Sequence, residues 1–164
     1  MTPPTKRTSI YSPRTTKPGG WIEIQEHENI PYCDDGTMPD DYPVTDFFTH
    51  VKQGMAVFGG DSAAILKTDD YLRKAGFTNI TDMVYKIPVG PWARNKALKE
   101  IGLFMQTVLL DGLAAFSLRT LGTGLGWSPE KREVALVSVR KALVDPKVHS
   151  YWPFHVITAQ KPQE

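Results

Sequence analysis

The sequence predicts an α/β fold. Three observations carry that expectation. Strand-like and helix-like apolar spacings alternate in the order strand, helices, strand, helices, strand. Glycine or proline punctuates most changes of spacing. The 164 residues are 41% hydrophobic, with four Trp, six Tyr and seven Phe, enough apolar bulk for one core. A chain of this length is one domain by default and buries roughly two-thirds of the surface its unfolded form exposes.

Residues 1–16, rich in Thr, Ser, Pro and basic side chains, show neither period and read as a disordered lead-in. "KPGG" then marks a turn, and "WIEIQE" alternates apolar with polar as a strand from Trp21 to Glu26. The following "HENIPYCDDGTMPDDYP" is dense in Asp, Pro and Gly and reads as a surface loop. From Val44, the spacing of Phe47, Phe48, Val51, Met55, Val57 and Phe58 predicts an amphipathic helix capped by Thr45 or Asp46 and stopped at Gly59-Gly60. A second helix is expected from about Ser62 to Ala75, with Ile65, Leu66, Tyr71 and Leu72 on its apolar side. "FTNITDMVYKIPVG" reads as a strand of about eight residues closed by Pro88 and Pro91. The longest periodic stretch, Asn95 to about Leu121, repeats Leu98, Ile101, Met105, Val108, Leu109, Leu113 and Phe116 every three or four residues. It is apolar on more than one side, so it is expected to be well buried or covered by a partner. A further helix opens with Ser128 as N-cap and Pro129 at its first position, and Asp145-Pro146 stops it. Phe154 to Gln160 gives the last strand.

Between the last two helices, Gly122, Gly124 and Gly126 stand in a G-x-G-x-G spacing. A phosphate- or adenosyl-binding glycine loop follows a buried strand, opens a helix, and has an acid about 20 residues on at the tip of the next strand. Helical spacing precedes these glycines, and the Ser128 to Leu143 helix leaves no room for a strand to carry Asp145. They are read as a helix–helix turn. A cofactor loop of an unfamiliar kind is the competing reading.

Net charge is +1, which gives no field to hold nucleic acid or an anionic membrane. Cys33 is the only cysteine, so no internal disulfide forms, and a reducing compartment, cytoplasm or nucleus, is expected. "MTPPTKRTSIYSP" lacks a signal-peptide apolar core, and no run reaches the ~18 uninterrupted apolar residues of a membrane span. The four histidines fall at no recognised metal spacing. "DDGTMPDD" lacks the alternating pattern of a calcium loop and reads as a polar turn. No metal is expected.

"KPGGWIEIQE", "DDGTMP", "LRKAGFTNITDMVYKIPVGPW", "NKALKEIG", "GWSPEK", "VRKAL" and "HSYWPFHVITAQKP" together resemble the C-terminal half of the fungal LaeA-like class I methyltransferases, which depend on S-adenosylmethionine (SAM). The motifs run in the family's order from Lys17 to Pro162. The resemblance implies a partial Rossmann-like sheet of strands five, six and seven only, with residues 17–164 as the substrate-side half of a methyltransferase domain. Trp21 to Glu26 would be strand five, Asn79 to Ile87 strand six, and Phe154 to Gln160 an antiparallel strand seven between them. The two long helices before strand seven would form a cap over the substrate pocket. The family's SAM-binding glycine loop and acid lie upstream of KPGG, so this chain alone is expected neither to bind SAM nor to turn over. Two accounts follow: a truncated, catalytically incomplete methyltransferase, or a non-catalytic interaction module.

In doubly wound sheets, ligands sit beyond the carboxyl ends of the parallel strands, which singles out Glu26, His27 and Glu28 after strand five. Glu26 would position a substrate hydroxyl or take up a proton, against the plainer reading of a solvated loop carboxylate. Trp92 would line a pocket for an apolar acceptor or pack in the core. Tyr151 and Trp152, before strand seven, would line the same end or simply pack. Because strands one to four are missing, strand five should have a bare edge from Trp21 to Glu26. That edge favours self-association or docking on an intact methyltransferase.

Overall fold

The computed structural model describes residues 16–163. The lead-in expected over residues 1–16 therefore lies, except for Thr16, outside the described residues. Three strands, β1 (Trp21–His27), β2 (Thr78–Pro88) and β3 (Tyr151–Gln160), form one sheet in the order β1-β3-β2. β3 lies in the middle, antiparallel to both neighbours, so β1 and β2 run parallel to each other. Ile24 pairs with Ile157 and Glu26 with His155 on one side, while Val84 pairs with His155 and Tyr85 with Phe154 on the other.

The strand alternation predicted for β1 holds and extends one residue to His27. β2 is longer than the sequence suggests, eleven residues, and opens with an irregularity between Thr78 and Thr81 where Asn79 adopts φ +48°. β3 begins at Tyr151, three residues ahead of the expected start. Pro153 hid that beginning, because proline inside a central strand ordinarily breaks a ladder. Here the Glu28 N–H donates to the Pro153 carbonyl (3.0 Å), so the missing proline N–H faces a side where β1 has already ended.

Between β1 and β2 stand α1 (Pro43–Val57), a 3-10 turn (Ala64–Lys67) and α2 (Thr68–Lys74). The N-cap of α1 is Tyr42, three residues ahead of Thr45, the earlier of the two expected caps, and it makes no side-chain cap bond. Pro43 presets the first turn, and the Tyr42 carbonyl accepts from the Thr45 and Asp46 N–H groups. The helix expected over 62–75 is split. Its first turn is 3-10, bracketed by the Asp61 carboxylate, which accepts from the Ala63 N–H and from Lys67 Nζ.

Between β2 and β3 stand α3 (Lys96–Ser117) and α4 (Pro129–Leu143). The Asn95 and Ser128 side chains cap them by accepting from Leu98 N–H (3.1 Å) and Lys131 N–H (3.2 Å). The glycine segment corrects the simple helix–turn–helix expectation in one respect: α3 passes without a break into seven π-helical residues, Leu118–Gly124, before Gly126 turns the chain at φ +69°. The segment is neither strand nor open loop. Thr120 and Gly124 press against Gly54 of α1 so closely that a Cβ on Gly54 would fall inside the Thr120 carbonyl.

Two cores result. The larger joins Phe47, Phe48 and Val51 of α1, Leu109 and Leu113 of α3, Leu121, and Leu136, Val139 and Leu143 of α4, with Trp152 tying them to the sheet. The smaller lies on one sheet face, where Ile24, Ile157 and Ala159 meet Ile65, Leu72 and Phe77. The other sheet face leaves Trp21, Met83 and Tyr85 exposed. Lys96–Gly124 is the one helical stretch among the described residues long and apolar enough to cross a membrane, by length and composition. Leu109, Leu113, Ser117 and Leu121 along it are buried in the protein, whereas Phe104, Val108 and Leu118 are exposed.

Candidate functional site

The carboxyl ends of β1 and β2 and the amino end of β3 meet at one end of the sheet, and the loop after β1 folds back onto that end. Tyr32 forms a two-way backbone bridge with Tyr151 (both N–H···O 2.9 Å), and their rings stack at 6.1 Å. This brings Asp34 and Asp35 over the start of β3. The Tyr151 hydroxyl donates to Asp34 Oδ1 (2.8 Å), Lys86 Nζ pairs with Asp34 Oδ2 (2.5 Å), and the same ammonium lies 4.8 Å from the Tyr151 ring centre. The Lys86 bond, followed by the tyrosine hydroxyl, lowers the Asp34 pKa from its ordinary value.

Beside it, His149 Nδ1 donates to Asp35 Oδ2 (2.6 Å). The other Asp35 oxygen accepts from the Thr37 N–H (3.1 Å), the Thr37 hydroxyl (2.8 Å) and Cys33 Sγ (3.1 Å). These bonds, that of His149 foremost, hold the Asp35 carboxyl well below the usual range, so it is ionised at neutral pH. The His149 ring stacks on Trp92, 5.1 Å between centres and 25° between planes. Trp92 is fixed by its indole N–H, which donates to the Ser150 carbonyl (3.0 Å). Next to Trp92 is a cleft lined mainly by Val89, Pro91, Gln106, Val144 and Val148.

A second polar group spans the sheet. His155, 5% exposed, directs Nδ1 to Asp82 Oδ2 (2.8 Å) on β2 and Nε2 to Glu28 Oε1 (3.0 Å) after β1. Burial opposes its charge, but the Glu28 and Asp82 carboxylates outweigh burial and raise its pKa. With both nitrogens on carboxylates, the ring is an imidazolium. Glu28 also accepts from the Tyr32 hydroxyl (2.7 Å), whose pKa that carboxylate, ahead of burial, pushes up to about 12.

The structure brings Trp92 and Tyr151 together around residues 149–151. It places Glu26 and His27 elsewhere. Glu26 is exposed, and its Oε1 accepts only from the His27 N–H (3.1 Å). His27, on the opposite sheet face, packs its ring 4.7 Å from Phe154, and burial, ahead of any charge, lowers its pKa. Trp152 packs edge-on against Phe48 at 4.8 Å. Asp34, Asp35, Lys86, His149 and His155 were not legible as a site in the sequence, since 114 residues separate Asp35 from His149. Position at the carboxyl end of a strand marked Glu26 and Glu28, but nothing local marked their partners.

No group of three or more His, Cys, Asp or Glu among the described residues is arranged to hold a metal. A methyl donor's adenosyl group finds no glycine cradle at Leu118–Gly124 either, because the π-helix and its contact with Gly54 fill that space.

No protein-family model matches the chain. Curated relatives do. "Methyltransferase pytC" of Aspergillus terreus is 35% identical over 150 residues, covering 89% of this chain and 45% of the relative. "Probable methyltransferase tdiE" of Emericella nidulans is 31% identical, covering 88% and 46%. "Secondary metabolism regulator LAE1" of Cochliobolus heterostrophus is 31% identical, covering 90% and 49%. The chain thus spans about half the length of these relatives. Over that half, it is a homologue of fungal methyltransferases and LaeA-type regulators of secondary metabolism.

Proposed function

We propose that residues 17–163 form the acceptor side of a SAM-dependent methyltransferase of the class I type, with β1, β2 and β3 as its strands five, six and seven. The observation that carries this reading is the strand order β1-β3-β2, a late antiparallel strand inserted between two parallel ones, in a chain whose relatives are named methyltransferases. α3, the π-helical segment and α4, inserted before β3, act as the cap. Trp92 and Tyr151 stand at the acceptor end, with Glu26 and His27 at its margin. SAM supplies the electrophilic methyl group in such a reaction, and the residues here do not fit its adenosyl group, so the donor site lies outside them. The protein works in the cytoplasm or nucleus, without nucleic acid or membrane as partner.

Two measurements test this. Calorimetry with SAM on the purified chain is expected to give no binding, and tight stoichiometric binding would overturn the assignment of the donor site. Mixing the chain with the complementary half of the pytC relative and following labelled methyl transfer to small phenols is expected to give product only with both halves. No product from a demonstrated complex of the two would refute the acceptor-side reading.

A specific feature supports a second reading, a non-catalytic module that pairs through β1. By strand alternation, Trp21, Glu23, Gln25 and His27 turn their N–H and C=O groups away from β3 toward an edge without a neighbour among the described residues. Light scattering after size exclusion tests it. A concentration-dependent dimer, or a complex with an intact methyltransferase, supports the module, and a stable monomer that ignores such a partner removes it.

A further inference from the structure

The cleft beside Trp92 has a one-sided chemistry. Its volume is about 180 Å³, comparable to cavities that admit a single aromatic ring. Val89 and Val148, both buried, and the half-buried Trp92 form its inner wall, while Val144, Asp145 and Pro146 are exposed at the rim. His149 occupies one face of the indole and does not line the cleft, so the cleft meets the indole's edge or other face. Hydrogen-bond donors around the cleft are already engaged. The Val89, Gly90, Asp145 and Val148 N–H groups donate to the Ser150, Gly102, Ala142 and Asp145 carbonyls, and Pro91 and Pro146 carry no N–H. The Trp92 indole N–H is held by the Ser150 carbonyl (3.0 Å), and Gln106 Nε2 by the Leu143 carbonyl (2.7 Å). Acceptors are left over. Gln106 Oε1 has no partner among the described residues. Asp145 is the only charged side chain that lines the cleft and has no ion-pair partner among the described residues. It uses one oxygen alone, on the Lys147 N–H (2.9 Å). The Lys147 side chain does not line the cleft.

We propose that this cleft binds a small aromatic ammonium ion, its ring against Val89, Val148 and Trp92 and its charged head at the rim on Asp145. Gln106 Oε1 stands as a second acceptor. This deepens the acceptor-side reading, on which it rests, by naming the class of molecule held at that end of the sheet. An ammonium brings three donors and no acceptor, the complement of a lining that has acceptors and lacks free donors. A carboxylate would bring no donor and would face Asp145 as a like charge. Because Asp145 is exposed, the ammonium keeps part of its hydration and escapes the cost of full burial. The Val144 end of α4 adds the negative pole of that helix to the same rim.

The test uses the full chain at neutral pH and three probes of one shape: 2-phenylethylamine, 2-phenylethanol and 3-phenylpropionate. Binding is followed by ¹⁵N–¹H NMR of the Trp92 indole and the Gln106 side-chain amide, with Trp92→Phe assigning the indole signal. The amine is expected to shift both signals and to bind about tenfold more tightly than the alcohol, as a charge-assisted hydrogen bond requires, and the acid should bind least. Asp145→Asn keeps an oxygen for the Lys147 N–H and should bring the amine down to the affinity of the alcohol. The same substitution at Asp70, on α2, should change nothing. The comparison of amine with alcohol on the native chain needs no variant and so does not depend on how Asp145→Asn folds. Equal affinity for amine and alcohol, amine binding that ignores Asp145→Asn, or absence of shifts at both reporter groups would each overturn the proposal. Amine binding with no product from a demonstrated complex in the two-half assay would keep the cleft and refute the acceptor-side reading. Methyl transfer without amine binding would do the reverse.

Discussion

The helical cap and the sheet hold themselves together by different means. In the cap, Leu113, Leu121 and Leu136 are wholly buried among aromatic and aliphatic neighbours from three helices, and α1 meets the π-helical segment at backbone distance. The sheet has only six buried apolar residues in its own cluster and then, two places along β3 from Ile157, a charged histidine between two carboxylates. One of its faces leaves Trp21, Met83 and Tyr85 exposed, and both outer strands, β1 and β2, have an edge without a strand partner among the described residues. The cap is a finished core. The sheet adds a polar clasp to a small apolar cluster, and its stability is correspondingly tied to ionisation.

The comparison can be broken at its strongest point first. Leu113→Ala should destabilise the chain by about 3–4 kcal/mol in urea denaturation, the usual cost of a cavity in a rigid core. A loss under 1 kcal/mol would mean that the cap core is not closed. His155→Gln comes next, at about 2–3 kcal/mol, because it leaves Glu28 enclosed without its cation, with only the Tyr32 hydroxyl as partner. The same clasp fixes a pH dependence. The folded pKa of His155 is raised, so its contribution is complete below the unfolded value of about 6.5 and is lost as pH rises through the folded value. The stability difference between native chain and His155→Gln should therefore shrink as pH rises from 6 to 9. Growth of that difference over the same range would show the ring to be neutral. Trp21→Ser should be smallest, under about 0.5 kcal/mol in the monomer. It bears on the open face, and its effect should instead appear in self-association measured by light scattering.

The architecture was legible in outline because apolar periodicity and caps are local. Ser128-Pro129 announced α4, and the alternation of Trp21 to Glu26 announced β1. The misses have one origin in contacts made across long stretches of chain. The start of β3 at Tyr151 depends on Pro153 lying where the β1 side offers only the Glu28 N–H, a contact 125 positions away along the chain. The glycines at 122 and 124 looked like the end of a helix, but a π-helical turn pressed on Gly54 carries them further. At the candidate site, Trp92 and Tyr151 could be named from their place beyond strand ends. His149 could not, because its meaning depends on Asp35, which the sequence presented as part of a polar turn. Glu26 was marked by the same positional logic as Glu28, yet Glu28 is the residue with the buried partners.

Pro153 carries one consequence for assembly. β3 lies between two strands that precede it in the chain, pairing with residues of β1 more than a hundred positions away, and such an insertion can slide by two residues without turning any side chain to the wrong face. A slide that set Pro153 opposite Glu26 would press its ring into a carbonyl that needs a donor. The imino acid thus works as a register stop, permitting the last strand one alignment and making the wrong neighbours unbondable.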